Sequence, residues 1–397
     1  MKSILIVCND FDYFRRHRLA LAQILAVDNH VFVVTGGRQG ANEQEGGIIY
    51  RHIEIDRFSF RPVTDLAFFI RIFLLIRELR PSALHLITLK PAVFGGLASI
   101  FAKWCGFGPG RVVVTIPGLG RLMTTGHARL AGFRADIFRC AVGTTIKLLS
   151  SQKATRYTFE TEHDRRVWID DGLIQEDNSV VLRGAGVDPV RYSPRQTGAP
   201  REPLRIVFAS RLLKAKGLEA FLVAARMSIG RDDVRFTVAG MIEAEDPDGY
   251  STEGLRADTS IEFLGEVADM PALLRQADVV CLPTLYGEGI PRILIEAAAC
   301  GLAAIGTRTP GCREIILDGK TGLLLDVADT QKMAIGILRC IDTYLKCPGL
   351  LRQHGDAARE HFLTGGFQES EVIAGFVKLL CKPDLEFEPT LAQGGDS

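Results

Sequence analysis

The chain lacks a net charge: 47 Lys and Arg balance 47 Asp and Glu over 397 residues. That balance argues against a whole-chain polyanion binder and so against a nucleic-acid partner. Any run of 18 apolar, uncharged residues is also missing. The nearest approach, 66–79, carries Arg71 and Arg77 and reads as a helix rather than a membrane span. The opening Met1-Lys2-Ser3-Ile4-Leu5-Ile6-Val7-Cys8 turns polar too soon for a signal peptide. A cytoplasmic protein is expected, free to lie against the inner face of the membrane. None of the nine cysteines forms a CxxC pair, their number is odd, and most sit in apolar runs such as Val279–Leu282. A disulfide scaffold and a zinc cluster are disfavoured against reduced core thiols. No G-x-G-x-x-G follows the first apolar run, where Asn9-Asp10-Phe11 stands, which counts against a dehydrogenase. There is no fixed-period repeat.

What is present is an ordinary globular composition, 47% hydrophobic and 24% charged, long enough for two or three domains with substantial cores. Short β-branched runs at 3–8, 30–35, 48–55, 83–88, 111–116, 156–159 and 179–182 alternate with helical patterns near 17–26, 63–79, 92–105, 130–149 and 162–170. Such runs are parallel strands covered on both faces, and their alternation with helices is the doubly wound α/β pattern. Pro189, Pro194, Gly198, Pro200 and Pro203 then mark a linker over 189–203. The pattern restarts with strands at 204–209, 234–239, 261–264, 278–282, 303–306 and 321–325, and helices from 217, over 270–276 and over 291–300. The expected organisation is an N-terminal α/β domain over 1–188, a C-terminal one over 204–365, and a helix within 366–382 packing back on the first. A disordered tail follows over 383–397. A cleft between two such domains is a favoured ligand site. The charge balance hides a split: residues 1–190 hold 24 basic and 18 acidic side chains, net +6, and residues 191–397 hold 23 and 29, net −6.

The richest stretch runs from Leu285 to Gly301. A strand ends, a glycine-bracketed loop follows, and Pro291 opens a helix at a first-turn position. The helix start offers unpaired amides near Gly289, Ile290 and Arg292, and its dipole favours an anion. Glu288 precedes the helix and Glu296 lies more than a turn inside it. Taken singly, these are a surface loop charge and a solvated helix residue. Glu296, however, is embedded in Ile293-Leu294-Ile295 and Ala297-Ala298-Ala299, so it is expected to be buried and to need a partner or a ligand. Amides between two carboxylates suit phosphates flanked by hydroxyls, which is the layout of a nucleotide sugar. The second feature is Ser210-Arg211 with Lys216-Gly217, just past a strand end. Alone it is a solvated basic loop; beside the glutamate loop it suits a departing diphosphate.

Glu288-x7-Glu296, followed by Pro310-Gly311-Cys312-Arg313-Glu314-Ile315, resembles family 4 of the retaining glycosyltransferases. Ser210-Arg211 with Lys216-Gly217 matches that family's basic pair. Val181 to Asp188 resembles the strand and turn closing its first domain, and Gly265-Glu266-Val267 the segment that contacts the base. Asn9 through Arg18 and Pro117-Gly118-Leu119-Gly120 resemble a bacterial branch that builds polysaccharides or glycans on polyprenyl diphosphate. The likeness covers roughly residues 2–380. It implies a GT-B fold, two doubly wound Rossmann-like domains facing each other across a cleft, and transfer with retention that needs neither metal nor cofactor. It further implies that Arg211 and Lys216 hold the diphosphate of a nucleotide-sugar donor. Glu288 would contact the transferred sugar, Glu296 the ribose, and Gly289, Ile290 and the neighbours of Pro291 the sugar or phosphate.

Two departures stand out. Asn9-Asp10-Phe11-Asp12-Tyr13 replaces a common Gly-Gly pair, and Pro117-Gly118 stands where many members present a His. His127 is too far downstream to inherit that role. His17 and Lys90, on loops or helix starts, are the candidates for acceptor contact. The acceptor implied by the branch is a polyprenyl-diphosphate-linked sugar. Residues 111–166, with ten basic and four acidic side chains, are the candidate contact with anionic membrane, or else a basic outer helix. A soluble saccharide acceptor or a GDP-linked donor is the alternative within the class. A nucleotide-sugar epimerase is the alternative outside it, separated by product analysis with donor alone.

Overall fold

The computed structural model describes residues 1–37, 44–53, 55, 62–118, 133–195, 202–242, 249–287 and 289–382, side chains of 133–141 excepted. The chain divides into two compact units, residues 1–185 with the chain from 371 onward, and residues 186–370.

The first unit is built on eight strands: β1 Lys2–Cys8, β2 Asn29–Thr35, β3 Gln44–Glu45, β4 Ile48–His52, β5 Ala83–Ile87, β6 Val112–Ile116, β7 Thr155–Phe159 and β8 Ser179–Val181. Their order is β3-β4-β2-β1-β5-β6-β7-β8. All pairs are parallel except β3 with β4, a short edge hairpin. The strand period of two divides the core. Ile4, Ile6 and Cys8 join the cluster on one face, and Leu5 and Val7 the cluster on the other. Helix Pro62–Leu79 buries Phe68, Ile72 and Ile76 on the Leu5 face. Helix Glu369–Cys381 places Val372, Ile373, Phe376, Leu379 and Leu380 on the Ile4 face, among residues more than 250 positions earlier in the chain.

The second unit holds β9 Leu204–Ala209, β10 Val234–Ala239, β11 Glu262–Gly265, β12 Val279–Leu282, β13 Ala303–Thr307 and β14 Gly322–Leu325. The order is β11-β10-β9-β12-β13-β14, every pair parallel. Counted from β9 this is 3-2-1-4-5-6, the doubly wound Rossmann order. The first sheet repeats it, with β1 in the place of β9 and the β3 hairpin and β8 added at its edges.

Several expected elements shift. Helix Phe11–His17 precedes Leu19–Asp28, so the first helix starts earlier than the apolar pattern indicates, because Asp10 caps it through Tyr13 N at 2.7 Å. The single helix expected over 92–105 is a π-helical turn, Pro91–Gly95, running into Gly96–Trp104. The stretch expected to be a linker, 189–203, is anchored at its start: Tyr192 is buried, and Arg195 pairs with buried Asp278 at 3.0 Å. Arg359 holds the carbonyls of Pro189, Tyr192 and Ala299. Proline content marks this segment as a linker; its described start, 189–195, opens on a turn, and one aromatic and two arginine anchors tie it down. The tail 383–397 lies outside the described residues, as does 119–132. Every cysteine whose side chain is described is a free thiol, and Cys8, Cys281, Cys300 and Cys312 are buried. No helix among them is long and apolar enough to cross a membrane.

Candidate functional site

In an open α/β sheet, ligands bind outside the carboxyl ends of the strands where the strand order reverses. In the second unit that point lies between β9 and β12, which pair through Ile206 with Val279 and Val207 with Val280. The segment leaving β9 carries Ser210, Arg211 and Lys216; the segment leaving β12 runs from Pro283 to Pro291. The two basic residues and the glycine loop therefore issue from neighbouring strands at one edge.

The loops are fastened to each other. Leu285 N–H donates to the Ala215 carbonyl at 2.9 Å, and the Thr284 hydroxyl reaches the same carbonyl at 3.4 Å. Thr307 Oγ1, from the end of β13, donates to the Thr284 carbonyl at 2.7 Å. Gly217 adopts φ +77°, and a Cβ there would overlap the Pro283 carbonyl oxygen. Only glycine permits both the left-handed turn and that approach. Lys216 ends a 3-10 turn, Lys214–Lys216, and is buried to 6% exposure. Its ammonium lies over the Tyr286 ring, 5.5 Å from the centroid. Ser210 turns its hydroxyl onto the Arg211 carbonyl at 2.7 Å, and Arg211 is half-buried beside it.

Gly289, Ile290 and Pro291 are buried at the mouth of helix Arg292–Ala299. Pro291 is the N-cap, at φ −61° and ψ 118°, one position before the first-turn place expected for it. The Pro291 N-cap makes no side-chain capping bond to this helix start, whose positive dipole end favours an anion. Glu296 is buried at 7% exposure, as its apolar neighbours require. Its partner is supplied from within the unit. One carboxylate oxygen, Oε1, accepts from Arg292 Nε at 2.9 Å and from the Tyr192 hydroxyl at 2.9 Å. Burial, with the Glu296 carboxylate beside it, pushes the Tyr192 hydroxyl well above the usual tyrosine value, so it stays a donor. Tyr192 escaped the sequence reading; its one signal was a lone aromatic in a proline-rich stretch. Val267 is half-buried just beyond β11, on the same strand-end edge. Glu288 lies outside the described residues.

In the first unit the order reverses between β1 and β5. Lys90 follows β5, is buried, and pairs with buried Asp65 at 2.7 Å. His17 is the last residue of its helix rather than a helix start, and its ring stacks on Tyr13 at 4.5 Å. Thr88, the residue just past β5, holds φ +76° with its hydroxyl buried and unbonded. A β-branched residue in that region is strained, and such strain gathers at ligand sites. No residue pattern foretells it.

Residues 203–343 match the model of the glycosyl transferases group 1 family. An N,N'-diacetylbacillosaminyl-diphospho-undecaprenol alpha-1,3-N-acetylgalactosaminyltransferase of Campylobacter jejuni is 27% identical over 282 residues, 68% of this chain and 70% of that one. Seven other curated relatives match over 40% to 47% of their own length. Among solved structures, the sucrose-phosphate synthase of Thermosynechococcus elongatus superposes with TM-score 0.74 at 16% identity, covering 96% of this chain and 98% of that one. Anabaena HepE in complex with UDP gives 0.70 at 15% identity, covering 95% and 99%. The fold is thus that of the GT-B glycosyltransferases, two Rossmann-like units in one chain. With that match over residues 203–343 and these relatives, the chain is a glycosyltransferase.

Proposed function

We propose that the chain is a retaining glycosyltransferase that moves a hexose or N-acetylhexosamine from a UDP-linked donor to a sugar carried on polyprenyl diphosphate. The observation that carries this reading is the fastening of the β9 and β12 loops at the switch point. It brings Lys216 onto Tyr286, in the loop that leads to the start of Arg292–Ala299. Cationic side chains and a helix N-terminus are the parts a diphosphate needs. Support for the substrates comes from similarity: the Campylobacter relative is named for a diphospho-undecaprenol-linked acceptor, and HepE was solved with UDP.

In this reading Arg211 and Lys216 hold the donor diphosphate and Val267 meets the base. The amides of Gly289 and Ile290, beside Pro291, face sugar or phosphate. Glu288 takes hydroxyls of the transferred sugar, and Glu296 takes ribose hydroxyls while Tyr192 and Arg292 fix its other contacts. Ser210 shapes the turn that presents Arg211. His17 and Lys90 serve the acceptor, Lys90 as half of its pair with Asp65. The acceptor hydroxyl oxygen bonds to the anomeric carbon on the face from which the phosphate oxygen leaves, so configuration is kept. The carbon–oxygen bond to phosphate breaks, the acceptor's proton passes to the departing phosphate oxygen, and the cations and helix start take up the charge. No side-chain base and no metal ion enters the step.

A donor screen by nucleotide release, with and without a lipid-linked acceptor, tests the substrates; a chelator in the same assay is expected to leave the rate unchanged. Lys216→Ala is expected to lower kcat by about two orders of magnitude, the size of one preorganised electrostatic donor. An unaltered kcat removes Lys216 from the role.

A further inference from the structure

Helix Pro62–Leu79 is apolar on both sides. Its inward residues, Asp65, Phe68, Ile72 and Ile76, recur at helical spacing and are buried. The outward side repeats that spacing with Val63, Leu66, Ile70 and Leu74, which are 81%, 58%, 45% and 49% exposed. A surface helix of a water-soluble domain carries charged and polar residues there. Helix Gly96–Trp104 packs beside it and adds Phe101 and Trp104, the latter 73% exposed. Phe69 meets the Phe101 ring edge-on at 5.7 Å, and Phe101 meets Trp104 at 5.1 Å, so the two helices present one apolar and aromatic face. Cations rim it. Arg71, Arg77, Arg80 and Lys103 are exposed, while Glu78 is the one exposed acid on these two helices.

An apolar strip alone would suit several occupants. The combination with a cationic rim and an exposed tryptophan suits the interface of an anionic bilayer. There the apolar groups enter the acyl boundary, the indole sits at headgroup depth, and the long basic side chains reach phosphates. At about 1.5 Å per residue the 18-residue helix lies roughly 27 Å along such a surface. We propose that this face docks the first unit on the surface of an anionic membrane, with helix Pro62–Leu79 lying in the interface plane. The sequence had offered a different segment for membrane contact, within 111–166. Its residues Arg121 to Arg139 lie outside the described side chains, and its described Ile146 belongs to the core. The inference rests on the lipid-linked acceptor for its purpose, since it would hold the enzyme where such an acceptor lies, but its test needs no substrate.

The full chain is floated with vesicles of phosphatidylcholine containing phosphatidylglycerol, and with phosphatidylcholine alone. Binding to the anionic vesicles is expected, weakening as salt rises. Replacing Arg71, Arg77 and Lys103 together by Gln is expected to weaken it about a hundredfold, at about fivefold for each well-placed cation. Ile70→Glu with Leu74→Glu is expected to abolish flotation while leaving the melting temperature and turnover on a water-soluble acceptor unchanged, because both sites are exposed. Wild-type protein that fails to float on anionic vesicles at low salt overturns the proposal. So does an Ile70→Glu/Leu74→Glu variant that floats as the wild type does. A wild-type dimer, seen by sedimentation, that this variant converts to monomer while flotation is absent assigns the face to a second copy and overturns it equally. Loss of nucleotide-sugar turnover with flotation intact would sink the donor reading and leave this one standing.

Discussion

At Glu296 a carboxylate lies inside an apolar helix with two donors on one oxygen. Tyr192 and Arg292 each approach Oε1 at 2.9 Å, which fixes the rotation of the group. Tyr192→Phe removes one donor and keeps the ring. The expected cost in stability is about 2 kcal/mol, the net worth of one hydrogen bond to a charged group. If Glu296 orients a donor hydroxyl, the donor KM rises several-fold with kcat little changed. Steady-state nucleotide release and thermal unfolding read the two effects apart. A variant with wild-type KM leaves Tyr192 a purely structural partner. The burial of Glu296 was legible, because a lone acid among Ile, Leu and Ala has nowhere wet to go. Its partner was not, because Tyr192 stands 104 residues away and no local pattern joins them. The left-handed turn at Thr88 was equally hidden, since a β-branched residue rarely adopts that conformation.

At the scale of elements, the contact between the β9 and β12 loops depends on Gly217. Gly217→Ala adds the strain of a left-handed alanine and a clash with the Pro283 carbonyl. Gly230 offers the matched control, with φ +89° and nothing within 4 Å of a new Cβ. Gly230→Ala is expected to cost only the conformational strain, about 1 kcal/mol. Gly217→Ala is expected to cost clearly more and to weaken nucleotide binding, which chemical denaturation and titration with UDP would measure. Equal costs at the two positions would show that the loops yield easily and that their fastening does not shape the site. Strands β9 and β10 and helix Met270–Gln276 fall where the apolar runs place them, since long buried runs carry their own signal. Short polar pieces do not: Gln44–Glu45, Thr252–Ala257 and Pro310–Ile315 are held by neighbours or caps rather than by periodicity. Helix Pro62–Leu79 was legible as a helix, yet apolar residues on every side concealed which of them face out.

For the whole molecule, two doubly wound units were legible from the alternation of runs, and the strand order was not, because pairing partners leave no mark on either strand. Composition says more about the response to alkali. Burial pushes the hydroxyls of Tyr157, Tyr192, Tyr250 and Tyr344 above the usual tyrosine value. In Tyr192 and Tyr250 the carboxylates of Glu296 and Glu219 add to the effect. Burial likewise pushes the Cys340 thiol up to about 11 and that of Cys300 up to about 12. Each group keeps its proton in the folded chain at a pH where the unfolded chain has released it. Their contributions are therefore fully present below about pH 8, where both states hold every proton. They are lost as pH rises, first through the thiols and past about pH 10 through the phenols. Tyr157 and Tyr344, the most enclosed, each remove about 1.4 kcal/mol per pH unit beyond that point; Tyr192 and Tyr250, nearer solvent, remove less. Against a stability of about 5–15 kcal/mol, unfolding is expected within a few pH units above 10. Tyrosinate absorbance should then rise together with the loss of helical circular dichroism. The whole tyrosine complement titrating near pH 10 with the dichroism intact would mean that these phenols reach water in the folded chain, and that their burial is not what holds the two cores closed.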